Sequence, residues 1–125
     1  MSFGTDDYRA LQKGKFDEKR AITIMFTEFG ASLYVYMVML KNSGRDRESE
    51  VMDSLRKKIF ELRGIFQDEK YGVEQHNILR DIWMEVNTIH RCLQIYKPEE
   101  SAVLESTTNH CAGLSYIVKE YLKLE

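Results

Sequence analysis

Apolar residues return at steps of three and four along four long stretches of this chain, and very little interrupts them. A single proline and seven glycines occur in 125 residues. With so few places to turn, the chain is suited to a few long elements and not to many short strands. The breaks fall at Gly14, at Asn42 to Gly44, at Asp68 to Gly72, and at Lys97 and Pro98. Thr5, Asp6 and Asp7 are suited to capping a short N-terminal helix that would end near Lys13.

Each long stretch carries one apolar stripe at helical spacing. From about Phe16 to Leu40 the stripe is Ile22, Phe26, Phe29, Leu33, Tyr36 and Leu40. From Asp46 to Asp68 it is Met52, Leu55, Ile59, Leu62 and Phe66, with Gly64 marking either a close helix crossing or an early end. From Val73 to Tyr96 it is Leu79, Ile82, Val86, Ile89, Leu93 and Tyr96, widened by Trp83. The last helix starts at Pro98, which suits a first turn because it lacks an amide hydrogen that would go unused there. Its stripe is Leu104, Thr107, Cys111, Leu114, Val118 and Tyr121. Four amphipathic helices joined by short connections predict an all-α, up-down-up-down four-helix bundle in one domain over residues 1–125, preceded by the short N-terminal helix.

The first long helix departs from the pattern of the others. Between Ala21 and Leu40, twenty residues carry one formal charge, Glu28. Ile24, Glu28, Ala31, Val35 and Val38 fall on the face opposite the core stripe, and from Leu33 to Leu40 the helix is apolar all round. A helix in a monomeric bundle normally turns a polar face to water, so this stretch is expected to be covered on every side. The N-terminal segment around Tyr8 and Leu11 is one cover, and another molecule is a second. A transmembrane span is a third, because the length matches the roughly 20 residues needed. Glu28, Thr23, Thr27 and Ser32 count against the membrane, and the other three amphipathic helices need this one to complete their core. The expectation is therefore an interface through Ile24, Glu28, Ala31, Val35, Val38 and Met39, with another copy of the chain or with a different protein, and no membrane partner.

A net charge of −2 supplies no global field for nucleic acid or acidic lipid. Local basic clusters do occur, and Lys15, Lys19, Arg20, Arg56, Lys57 and Arg63 are the candidate nucleic-acid contacts. Asp17, Glu18 and Glu61 are interleaved with them or follow them, which is the usual pattern of a solvated helix face.

Chemistry is sparse. None of His76, His90 and His110 has a carboxylate three residues before it or a ligand four residues after it, so neither a di-iron nor a zinc pattern is present. No metal and no cofactor is expected. A hairpin turning near Lys97 would place His90 level with Glu105 and Glu85 level with His110, as isolated hydrogen-bonded pairs. Cys92 and Cys111 fall at different heights in that hairpin and are read as free thiols. The N-terminus lacks the apolar run of a secretory signal. With unpaired cysteines, this makes a cytoplasmic location the expectation.

These features predict a non-enzymatic small adaptor, regulator or assembly protein, acting through protein–protein contacts as a homo-oligomer via the first long helix. One alternative is an accessory subunit of a nucleic-acid complex that uses the basic clusters. Another is a small-ligand-binding or enzymatic bundle with a pocket near Trp83, His90 or His110.

Overall fold

The computed structural model describes residues 17–124. Among them are four helices and no strand: α1 (Glu18–Asn42), α2 (Asp46–Gln67), α3 (Val73–Tyr96) and α4 (Pro98–Leu122). They form a four-helix bundle, as the stripes predict. Helix α1 packs on α2 and α4, α3 packs on α4, and the α2/α3 seam is the least closed of the four. The N-terminal helix expected over about Thr5 to Lys13 lies outside the described residues, as do Tyr8, Leu11 and Lys15.

Local chemistry accounts for the helix ends. The Asp17 carboxylate accepts from the Arg20 amide at 3.1 Å and caps α1. At the start of α3 the Gly72 amide donates to Gln75 Oε1 at 2.9 Å. Helices α1, α2 and α4 end in the same pair of backbone bonds. In α1, Arg45 N–H reaches Leu40 O and Gly44 N–H reaches Lys41 O. The residue that turns left-handed is Gly44 in α1, Glu69 in α2 and Lys123 in α4. These are Schellman ends, and only the first uses the residue best suited to them.

The core consists of the predicted stripes. Ile22, Phe26, Phe29, Leu33, Tyr36, Leu40, Met52, Leu55, Ile59, Leu62, Leu79, Ile82, Val86, Leu93, Leu104, Cys111, Leu114 and Val118 are all buried. Phe26, Phe66 and Tyr71 pack as an aromatic cluster at one end, with ring centroids 5.7 to 6.2 Å apart. Tyr121 touches this cluster at 5.9 Å but stays partly exposed.

Gly30 marks the close approach of α1 and α2: a Cβ there would lie 2.8 Å from Phe60 Cζ. Gly64 marks neither a crossing nor an end. Nothing lies within 4 Å of where its Cβ would be, and α2 continues past it to Gln67.

The α3/α4 register differs from expectation. His90 faces Ser101, at 3.1 Å, and not Glu105; His76 faces Ser115, at 3.5 Å. Each partner lies four positions nearer the turn than a symmetric hairpin would give. The reason is the one-residue connection at Lys97, which starts α4 below the tip of α3, so that the last turn of α3 overshoots its neighbour. Tyr96, placed on the core stripe by its spacing, is for this reason 70% exposed, and Ile95 is 75% exposed.

Candidate interaction surface

The α1 side chains facing away from the core divide into two halves. Toward the start of the helix Ile24 is buried, contrary to the open position its spacing implies, and Glu28 is half-buried. Toward the end, Ala31 and Val38 are exposed and Val35 is 61% exposed, with Met39 half-buried beside them. In the single chain the outer face of this stretch is therefore open, and of the covers expected for it the described residues of the chain itself supply none. Tyr34 extends the face toward α2, where Arg56 lies over its ring at 5.8 Å.

On the other side α4 runs antiparallel to α1. Tyr36 Oη donates to the Glu100 carbonyl, and His110 Nε2 lies 3.2 Å from the Met25 carbonyl. This register brings Val103, itself exposed, within about one turn of Val35. Sequence periodicity did not single out Val103. Its position one residue before Leu104, off the α4 stripe, was the available signal.

The described candidate nucleic-acid residues have interactions within the chain. Lys19 pairs with Glu69 at 3.0 Å, while Arg56 and Lys57 share Asp53 at 2.6 and 3.2 Å. The two cations beside Asp53 hold its carboxyl below the usual range. Arg63 donates to Thr27 Oγ1 and lies over the Phe60 ring at 5.0 Å. Arg20 is also engaged in an interaction. All five of the described candidates are thus engaged in interactions, four of them with named side chains of the protein itself.

The histidines are structural contacts in this geometry. His110 is not near Glu85; it faces α1, with its ring stacked on Phe29 at 6.0 Å. His76 sits between Tyr71 and Ser115, and burial, followed by the Arg80 and Lys119 charges, holds it below the ordinary imidazole range. No group of three or more His, Cys, Asp or Glu among the described residues could hold a metal ion. Cys92 is exposed, and Cys111 is buried with its thiol pushed up to about 12 by desolvation.

The α1 helix is long and apolar enough, by length and composition, to cross a membrane. Its core stripe, however, completes the interior that the other three helices share. Searches against protein-family models, curated proteins and solved structures give no match. What the chain does must be argued from its own surface.

That surface holds one feature the spacing of residues did not reveal. Two clefts, of about 310 and 460 Å³, lie along the α2/α3 seam and share Glu85. Their walls include Val51, Ile65, Ile78 and Met84. These residues flank the core positions and so fall outside the apolar stripes.

Proposed function

We propose that the protein is a small non-enzymatic adaptor or assembly protein of the cytoplasm that associates with itself through the outer face of α1. The observation that carries this reading is the open apolar run Ala31, Val35 and Val38, continued by Tyr34 on one side and Val103 on the other. Contiguous exposed apolar surface costs free energy in water, and association removes that cost. The only charge in this part of α1 is Glu28, one turn before Ala31, so the face carries little that would penalise burial against a second copy.

Sedimentation velocity at tens of micromolar tests the proposal, and a monomer at those concentrations would overturn it. The double substitution Val35→Glu with Val38→Glu is expected to yield monomers with helicity intact. Unchanged mass and unchanged stability in that variant would also remove the α1 face from consideration.

A further inference from the structure

The α2/α3 seam lies across the bundle from the α1/α4 seam, so it stays open whether or not α1 associates. Its two clefts form one groove. At one end Val51, Met84 and Ile89 line it, and at the other Leu55, Ile65, Ile78 and Ile82 do. Leu55 and Ile82 belong to the buried floor. Met84 is 54% exposed and Ile78 is also open, with Val51, Ile65 and Ile89 half-buried. From Ile78 to Ile89 the groove runs about 16 Å, the length of three helical turns.

The rim is charged unevenly. Glu61, Asp81 and Glu85 border the groove and make no ion pair among the described residues, whereas Lys58 is the only cation lining the Ile65/Ile78 end. At the other end Glu48 is taken by Arg45 at 3.5 Å, and Arg47 is the cation lining the cleft.

We propose that this groove docks an amphipathic helix of a different protein, one whose apolar stripe is flanked by lysine or arginine. An apolar floor three turns long is the geometry of helix-in-groove recognition, in which anchors repeat at three and four residues. Met84 at the lip supplies an unbranched side chain that adapts to the anchor it meets. The balance of the rim sets the partner's charge: Glu61, Asp81 and Glu85, with Glu48 beyond them, outnumber Lys58 and Arg47, so a helix flanked by lysine or arginine is favoured over an acidic one. A second copy of this chain does not meet that requirement through its open face, since α1 carries no lysine or arginine between Arg20 and Lys41.

Two designed helical peptides of about 18 residues, sharing one leucine stripe, test the proposal on the full chain. One carries lysine along both flanks and the other glutamate. Methyl spectra of the protein are recorded against each. The lysine peptide is expected to shift the Ile65, Ile78, Ile89 and Met84 methyls and to bind more weakly as salt is added. It should bind at least roughly tenfold tighter than the glutamate peptide. The double substitution Asp81→Lys with Glu85→Lys should reverse that preference.

Equal binding of both peptides would overturn the proposal by reducing the groove to a non-selective apolar patch. Shifts of the same methyls with protein concentration alone would overturn it by making a second copy the occupant. No shift with the lysine peptide at about 1 mM would also overturn it. If the double variant does not fold, the two peptides on the unaltered chain still decide.

Discussion

His90 and Ser101 meet across the α3/α4 seam, with Nδ1 and Oγ 3.1 Å apart and both side chains buried. The same relationship repeats two heptads away, where Ser115 Oγ lies 3.5 Å from His76 Nε2. Midway between them the register brings Trp83 level with Thr108, and Trp83 Nε1 is buried there without a hydrogen-bond partner among the described residues. A sparse polar ladder thus fixes the height at which α3 and α4 pack. An apolar seam can slip by a turn at modest cost, but a buried polar pair that slips leaves donors and acceptors unmet.

Ser101→Ala should accordingly cost about 1–2 kcal/mol, because it leaves His90 Nδ1 buried without its partner. Urea denaturation followed by circular dichroism measures this. An unchanged midpoint would mean that the ladder does not hold the register.

The helical glycines Gly30 and Gly64 should respond in opposite ways. Gly64→Ala adds a methyl into open space within α2 and should raise stability by about 1 kcal/mol. Gly30→Ala drives a methyl into the Phe60 ring, which is itself held beneath Arg63. It should fall below Gly64→Ala by about 1–3 kcal/mol. Parallel denaturant titrations of the two variants check the order.

Burial along α1 sets up a similar contrast two residues apart. Leu33 is fully buried and Val35 is open. Leu33→Ala should cost about 2–5 kcal/mol, whereas Val35→Ala should stay within about 0.5 kcal/mol under conditions where the protein is monomeric. A large loss at Val35 in the monomer would place that residue in the protomer's own core.

The thiols should separate cleanly. Cys92 is exposed and should react with a chromogenic disulfide in the native protein at pH 8. Cys111 is buried, with its pKa raised, and should react only on unfolding. Rapid modification of both would contradict the packing around Cys111.

Stability should fall at both ends of the pH scale. Folding raises the Cys111 pKa from an ordinary 9.0 to about 12, and burial raises Tyr71 and Tyr36 as well. Their contribution is intact below the ordinary value of each group. It is lost as pH rises above it, because the unfolded chain then releases protons that the folded one retains. His76 acts in the opposite direction. Its folded pKa lies below 6.5, so stability is lost as pH drops below 6.5 and the unfolded chain takes up a proton first. Thermal unfolding from pH 5 to pH 11 should give a plateau near neutrality, and His76→Gln should flatten its acidic side.

Most of the architecture was legible in the chain because periodicity reports directly on which side of a helix avoids water. The stripes from Ile22 to Leu40 and from Leu104 to Val118 are the core of the bundle, and Pro98 opens α4 as expected. Exceptions occur where a position on the helical wheel and a position in the bundle part company. Tyr96 is in phase with Leu93 yet lies beyond the start of α4. Ile24 is in phase with Val35 yet is buried. Gly64 breaks no packing because no helix approaches it.

The candidate surface was legible only in part. Spacing identified Val35 and Val38 as out of phase with the core, and they are exposed. It did not bring Val103 to their side, because that depends on the antiparallel register of α1 and α4. Nor did it reveal the groove along Ile78, Met84 and Glu85, because a groove depends on how far two helices stand apart.

The sequence by itself determined four amphipathic helices, their limits to within a few residues, and the apolar stripes that compel them to pack together. These follow from local energetics: helical spacing, capping and the burial of one face. Tertiary structure alone decided that His90 meets Ser101, that Lys19 pairs with Glu69 and Arg63 with Thr27, and that the α2/α3 seam stays open. Those outcomes depend on the heights and separations of whole helices, which are set by the length of a turn and the fit of many side chains at once. No local pattern encodes that balance.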